Sequence, residues 1–153
     1  MKIDIMICTR DRPTELALLF QSLRTQTFQD FDIYVYDDRS GIPIQQHHFL
    51  AMLINRLKLE NHKVVIWRNE IPVGVTRLRK MMVDKIMKEG HGDCILRLDD
   101  DNILEPDYIE RLVKVLDKGF DIASGMVPLL GYPLMKRETK FVKPFISDVR
   151  LND

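Results

Sequence analysis

The most informative segment of this sequence reads Cys94-Ile95-Leu96-Arg97-Leu98-Asp99-Asp100-Asp101-Asn102. Its first five residues are mostly apolar and have the length of a buried β-strand, and three carboxylates follow without interruption. Four other runs have the same apolar character, so that the predicted strands are Ile3–Thr9, Phe31–Tyr36, Lys63–Trp67, Asp93–Leu98 and Asp121–Val127. Short strands of nearly continuous hydrophobicity are typical of a parallel sheet that is buried on both faces.

The segments between these predicted strands have the periodicity of amphipathic helices. Apolar residues recur three or four positions apart in each interval, as in the groups that begin at Leu16, Leu50, Val75 and Ile109. Pro13 and Pro106 are predicted to lie in first helical turns, where a missing N–H does no harm. The alternation predicts an α/β fold, a three-layer open and mostly parallel sheet with helices on both faces. Such sheets bind ligands beyond the carboxyl ends of their strands.

Composition limits the class of protein. The chain has 153 residues, 45% hydrophobic and 30% charged, which indicates one globular domain and excludes a disordered or membrane-embedded chain. Lys and Arg number 23, as do Asp and Glu, so no general basic field attracts nucleic acid. The segment Met1–Asp4 already contains an acid, and no run reaches the roughly 18 apolar residues of a spanning helix. These features predict a cytoplasmic protein without an integral membrane segment.

The three carboxylates of Asp99–Asp101 point to a cation. Like charges crowded at the end of a strand are unfavourable unless something positive neutralises them. Because no Cys or His stands nearby, oxygen ligands favour a hard ion such as Mn²⁺ or Mg²⁺, with phosphate oxygens completing its coordination. The alternative is that these residues only cap the next helix and face solvent.

A second pair of carboxylates, Asp37-Asp38, follows the second predicted strand. A carboxylate at this place can accept hydrogen bonds from a base or from ribose hydroxyls. Asp37 is equally compatible with a turn closed by its own side chain, and the turn itself is assigned to Arg39-Ser40-Gly41. Asp38 is therefore the better ligand candidate. The sequence contains neither G-x-G-x-x-G after the first strand nor a G-x-x-x-x-G-K-[ST] motif, which disfavours classical dinucleotide and P-loop sites.

These motifs, in this order and spacing, resemble the nucleotide-sugar-binding half of family 2 glycosyltransferases of the A-type (GT-A) fold. The resemblance runs from about Ile3 to Val127. It rests on Thr9-Arg10-Asp11-Arg12-Pro13, Ser22-Leu23 with Gln26-Thr27-Phe28, Val35-Tyr36-Asp37-Asp38-Arg39-Ser40, Gly74 with Arg79, and Leu98–Asp107. It implies a nucleotide-diphospho-sugar transferase fold and a hexosyltransferase-like enzyme of the inverting, metal-dependent kind.

The resemblance also implies roles for individual residues. Thr9 and Asp38 would contact the nucleoside, with Asp38 on the base, and Asp99–Asp101 would form the D-x-D element. Asp101, with Asp99, would bind Mn²⁺ or Mg²⁺, while Asp99 or Asp100 reaches the ribose or donor sugar. The nucleotide-binding set is then Thr9, Arg10, Asp11, Arg12, Asp38, Arg79, Asp99 and Asp100, with Arg77 as a competitor of Arg79. Arg10 and Asp11 replace the aromatic residue and Asn usual in the family, so that the Arg10 guanidinium would stack on the base instead.

Residues 1–128 are accordingly predicted to form the nucleotide-sugar-binding core, and residues 129–153 an incomplete start of the acceptor-side region. A UDP-sugar is the favoured donor and the acceptor is a glycan, lipid or protein. No catalytic base is assigned, because Glu138 and Asp148 in the tail stand in no recognisable motif. Three alternatives stay open: a non-catalytic nucleotide-sugar-binding module, the donor half of a larger enzyme, and a Mg²⁺-dependent nucleotidyltransferase. The last is disfavoured because Thr9–Pro13 contains no glycine.

Overall fold

A computed structural model describes residues 1–125 of the chain. Within them, strands and helices alternate as the sequence predicts. The elements are β1 (Ile3–Thr9), α1 (Pro13–Arg24), β2 (Phe31–Asp37), α2 (His48–Leu59), β3 (Val64–Arg68), α3 (Val75–Glu89), β4 (Cys94–Asp99) and α4 (Tyr108–Leu116). A short 3₁₀ turn, Ile44–Gln46, precedes α2.

The four strands of this region form one parallel sheet in the order β3-β2-β1-β4. The chain moves outward from β1 to β3 and then crosses back, so that β4 pairs with the free side of β1. Thr9 at the end of β1 is in register with Asp37, and Cys8 is in register with Asp99. The carboxyl ends of β2, β1 and β4 therefore meet at the point where the strand order reverses, which is where open α/β sheets bind ligands.

Alternate residues of β1 face two separate apolar layers. Ile3, Ile5 and Ile7 are buried against side chains of α1, α2 and α4 on one face. Met6 points to the other face, where Leu78, Met82 and Ile86 of α3 pack with Tyr34 and Tyr36 of β2. Helices thus cover both faces of the sheet, which confirms the predicted three-layer class.

Several predicted element boundaries need correction, and β3 and β4 begin at Val64 and Cys94, one residue later than predicted. β2, β3 and β4 each extend one residue further than expected, to Asp37, Arg68 and Asp99, because the first polar residue of each loop still pairs in the sheet. Pro106 lies in the turn before α4 rather than inside its first helical turn.

The prediction of a fifth strand at 121–127 is wrong for residues 121–125, which are not in a strand. Ser124-Gly125 offers little β propensity, and the Ile122 side chain is exposed rather than buried in a sheet. Residues 126–127 and the predicted tail at 129–153 lie outside the described residues. Among residues 1–125, no helix has the length and apolar character needed to cross a bilayer.

Candidate functional site

A cavity of about 430 Å³ opens beyond the carboxyl ends of β1 and β4. Its wall comes from four places: the end of β1 with the loop that follows, Asp38 after β2, the beginning of α3, and the carboxylate segment that starts at the end of β4. The lining residues are Cys8, Thr9, Arg10, Arg12, Asp38, Gly74, Val75, Leu78, Arg79, Asp99, Asp100 and Asp101. The predicted site residues are thus brought together, with the exception of Asp11.

Asp100 is the buried member of the carboxylate group. The Thr9 hydroxyl donates a hydrogen bond to Asp100 Oδ2 at 2.8 Å, and Arg12 Nη1 lies 3.2 Å from Asp100 Oδ1. Burial raises the pKa of Asp100, against the lowering effect of the Thr9 hydrogen bond and the Arg12 charge. The ionised form of Asp100 is therefore destabilised by burial in the folded protein, and such carboxylates are common at functional sites.

The other two carboxylates pair with different arginines. Asp101 Oδ2 lies 2.9 Å from the same Arg12 Nη1, and Asp99 Oδ1 accepts from Arg79 Nη2 at 2.7 Å. Arg77, the alternative to Arg79, is exposed and does not line the cavity. The structure therefore favours Arg79 as the arginine that α3 contributes to the site.

Asp38 has a structural function that the sequence did not reveal. Its Oδ1 accepts from Asn69 Nδ2 at 2.8 Å and from the Val73 N–H at 2.9 Å, and its Oδ2 accepts from the Gly74 N–H at 2.9 Å. Burial alone would raise the pKa of Asp38, but these hydrogen bonds lower it, so that the side chain is ionised at neutral pH. Asp38 thus fixes the loop between β3 and α3 while still lining the cavity.

Glycine is required where this loop enters α3. Gly74 has φ +81° and ψ 155°, a backbone conformation that other residues rarely adopt, and it is the residue immediately before the helix. Its N–H points to Asp38, and the first turns of α3 then place Leu78 and Arg79 in the cavity wall.

The predicted turn after β2 is confirmed. Asp37 Oδ1 accepts from the Ser40 N–H at 2.6 Å, and Asp37 Oδ2 pairs with Arg68 Nη1 at 2.6 Å. Asp11 takes part in this turn rather than in the cavity wall, because its Oδ1 accepts from the Gly41 N–H. Asp11 therefore connects the loops after β1 and β2, and Arg10 lies 3.6 Å from its carboxylate.

The donor set of the carboxylate segment fits a hard divalent cation, because it consists of oxygen atoms alone. One oxygen of Asp100 and one of Asp101 both contact Arg12 Nη1, so that two carboxylates already share one positively charged group. Across residues 1–125, however, no three side chains of His, Cys, Asp or Glu gather closely enough to hold a metal ion. Asp99 and Asp101, the predicted ligands, instead pair separately with Arg79 and Arg12.

Some residues that line the cavity are not among the predicted site residues. Cys8 and Leu78 line the cavity, and burial raises the pKa of the Cys8 thiol to about 11, so that it is a neutral wall residue. The alternation of β1 would have placed Cys8 on the α3 side of the sheet. Asn69 carried no comparable signal, because its contact with Asp38 depends on the conformation of the loop.

Comparisons with known proteins agree with this architecture. At the level of the fold, S. aureus TarS superposes with a TM-score of 0.61 at 21% identity, over 77% of this chain and 20% of that one. The mannosyltransferase PcManGT from Pyrobaculum calidifontis, solved with GDP-Man and Mn²⁺, gives a TM-score of 0.58 at 12% identity, over 75% and 32% of the two chains. These two likenesses show that the fold is the GT-A fold.

The family follows from the sequence. The model of glycosyl transferase family 2 matches residues 4–133, and the chain belongs to this family. An uncharacterized glycosyltransferase of Bacillus subtilis, YwdF, is 27% identical over 124 residues, which cover 76% of this chain and 39% of the relative. Another, from Haemophilus influenzae, is 24% identical over 122 residues, covering 78% and 36%. The chain thus spans well under half the length of these curated relatives.

Proposed function

We propose that this chain forms the donor-binding part of a metal-dependent, inverting glycosyltransferase. It would bind a nucleoside-diphosphate sugar, with a UDP-sugar as the favoured donor, for transfer to an acceptor hydroxyl. One observation carries the proposal: Asp38, Arg79 and the carboxylates Asp99–Asp101 line a single cavity at the point where the strand order reverses. This is the position at which open α/β sheets bind nucleotides.

The nucleoside end of the donor would lie against Asp38 and Thr9. Asp38 is ionised at neutral pH, and among residues 1–125 its Oδ2 accepts a single hydrogen bond, so it can accept another from an N–H of the base. Thr9 is buried between the ends of β1 and β4, where it holds Asp100 toward the cavity. The Arg10 guanidinium, on the cavity wall, would stack on the base in place of an aromatic ring.

The diphosphate would lie between the arginines and the carboxylate segment. Arg12 and Arg79 can each donate two parallel hydrogen bonds to phosphate oxygens, a geometry suited to guanidinium groups. Asp101 and Asp99 would hold Mn²⁺ or Mg²⁺, which as a Lewis acid neutralises the charge that grows on the leaving diphosphate. Two carboxylates suffice for such an ion when phosphate oxygens and water complete its coordination.

The preference for UDP is supported by the family resemblance and by a solved relative of the same fold. The 1–349 part of S. aureus TarS is known in complex with UDP-GlcNAc, and it superposes with a TM-score of 0.60 at 20% identity over 77% of this chain. Because PcManGT was solved with GDP-Man, guanosine donors belong in the same screen. Inversion requires a carboxylate that deprotonates the acceptor, and none of residues 1–125 is assigned this role. Glu138 and Asp148 lie outside the described residues.

A thermal-shift screen of nucleotide sugars with Mn²⁺ tests the donor proposal. A ligand at about 100 times its Kd stabilises the folded state by about 2.7 kcal/mol, which corresponds to a rise in Tm of roughly 5–10 °C for a chain of this size. We expect UDP-sugars to give the largest rise and the free sugars none. If no nucleoside diphosphate or nucleotide sugar raises Tm, with or without Mn²⁺, the proposal is wrong.

Two neighbouring arginines on α3 supply a matched pair of variants. Arg79→Gln removes the guanidinium that lines the cavity, whereas Arg77→Gln removes an equal charge from an exposed position outside it. We expect the ligand-induced rise in Tm to be lost in the first variant and kept in the second. Release of nucleoside diphosphate from the donor with Mn²⁺ then separates an enzyme from a non-catalytic binding module, which would bind the donor and leave it intact.

A further inference from the structure

The Arg12 side chain has an arrangement that the donor-binding role alone does not explain. Its Nη1 atom lies 3.2 Å from Asp100 Oδ1 and 2.9 Å from Asp101 Oδ2, so that one cationic atom serves two carboxylates. Arg12 is the residue before α1, but its side chain makes no capping hydrogen bond to that helix. The guanidinium, half exposed at 50%, is thus held in place by the two carboxylates.

Arg12 Nη1 lies beside the carboxylate of Asp101, the residue proposed to hold the divalent cation. The ion requires carboxylate oxygens of the same segment, and it brings two positive charges beside the guanidinium. Because like charges at contact distance repel, Arg12 and the ion cannot both pair with Asp101 at full strength. On the other side of Asp100, Asp99 Oδ1 is likewise paired with a guanidinium, that of Arg79.

We infer that Arg12 acts as an internal counter-ion of Asp100 and Asp101 that competes with the divalent cation for Asp101, and that it couples binding of the cation to binding of the diphosphate. The coupling part of this inference rests on the proposed function. In the absence of a nucleotide, Arg12 weakens cation binding. When a diphosphate enters the cavity, the guanidinium gains phosphate oxygens as bidentate partners and releases the carboxylates.

The exchange of partners is easy for this side chain. Arg12 lines the same cavity as Arg79, so phosphate oxygens and carboxylates are within reach of one flexible side chain. The pair of Arg12 with Asp101 is exposed and contributes little to stability, and Asp100 keeps its hydrogen bond from the Thr9 hydroxyl when the guanidinium leaves. Coupling between two ligands is reciprocal, so that the diphosphate must also bind more tightly when the cation is present.

Titration of the full chain with Mn²⁺ alone tests the competition. The EPR signal of free aqueous Mn²⁺ gives the Kd for the wild type, Arg12→Gln, Arg12→Lys and the control Arg56→Gln. Arg56 is similarly exposed at 60% and pairs with Glu60, which keeps Arg24 as a partner when Arg56 is lost. We expect Arg12→Gln to bind Mn²⁺ about three- to tenfold more tightly than the wild type, from the loss of one nearby charge. Arg12→Lys, which retains the charge, and Arg56→Gln stay within about twofold of the wild type.

The second titration adds UDP at a saturating concentration. In the wild type we expect UDP to tighten Mn²⁺ binding by about fivefold or more, and in Arg12→Gln this coupling falls by at least about threefold. The inference is overturned if Arg12→Gln binds Mn²⁺ alone no more tightly than the wild type, or if neither protein binds Mn²⁺ at millimolar concentrations. Failure of the proposed function gives a different result, because the wild type then binds neither UDP nor GDP. The titration with Mn²⁺ alone still decides whether Arg12 competes with the cation.

Discussion

The substitution Asp38→Asn tests whether the site is built around this carboxylate. Asp38 is only 4% exposed and accepts three hydrogen bonds, from Asn69, Val73 and Gly74. An amide keeps one acceptor oxygen and replaces the other by an N–H₂ group. If the oxygen stays at the position that serves Asn69 and Val73, the new N–H₂ group faces the Gly74 N–H, and two donors then point at each other.

The expected loss follows from these contacts. One charge-assisted hydrogen bond disappears and the partly buried Gly74 N–H is left facing another donor, which together destabilise the protein by about 2–3 kcal/mol. For a chain of this length, the corresponding decrease in Tm is roughly 5–10 °C. The magnitude is large for a residue in a loop, because three hydrogen bonds that hold the loop between β3 and α3 converge on this one carboxylate.

Urea unfolding followed by tryptophan fluorescence measures this loss. The chain has a single tryptophan, Trp67, which lies in β3 two residues before Asn69, so that its signal reports on the affected region. Asp11→Asn is the matched control, because Asp11 is exposed, accepts from the Gly41 N–H, and has a positive φ of 55° that asparagine tolerates. We expect the control to stay within about 0.5 kcal/mol of the wild type. An equally small change in Asp38→Asn would refute the reasoning.

Three further predictions concern stability. Glu60→Gln should lower the free energy of unfolding by about 1 kcal/mol at pH 7, because Arg24 and Arg56 lower the pKa of Glu60 to about 2. The contribution of Glu60 is complete above pH 4.5 and is lost as the pH falls toward 2. The urea midpoints of wild type and Glu60→Gln should therefore converge in acid. Asp100→Asn should stabilise the protein at pH 7 by up to about 1 kcal/mol, since burial raises the pKa of Asp100. The gain should vanish below pH 3.8, where the carboxyl is protonated in the unfolded chain as well. Thermal unfolding of both proteins between pH 7 and pH 3 measures this change. Phe20→Ala should cost about 3–5 kcal/mol in the same urea assay, because this fully buried ring leaves a cavity between α1 and the sheet.

The sequence predicted most of the fold because hydrophobic periodicity is a local property. The runs at β1, β2, β3 and β4 were placed within one residue of their observed ends. The meeting of three strand ends followed from parallel topology, and the strand order confirms it. The fifth strand was wrong for 121–125, since a short run with one exposed isoleucine and a glycine does not by itself find a partner in the sheet.

The candidate site was predictable only as a set of residues. The strand ends predict that Asp38 and Asp99–Asp101 come together, the family resemblance adds Arg79, and the cavity contains them all. The spacing of motifs in the sequence did not indicate which arginine pairs with which carboxylate, because these pairs depend on distances between loops in the folded protein. Nor did it indicate that Asn69 and two backbone N–H groups would reach Asp38, because these contacts depend on the conformation of the loop between β3 and α3.

Isothermal titration of UDP into the full chain, with and without Mn²⁺, tests the central claim most directly. It should be carried out on the wild type, Asp101→Ala and Asp84→Ala. Asp101 and Asp84 are similarly exposed, at 52% and 56%, and each pairs with one basic side chain, but only Asp101 lines the cavity. We predict Mn²⁺-dependent binding of UDP that survives in Asp84→Ala and falls at least about tenfold in Asp101→Ala, the loss of one charged ligand of the ion. Binding that is absent from the wild type, or that is equal in all three proteins, would contradict the account.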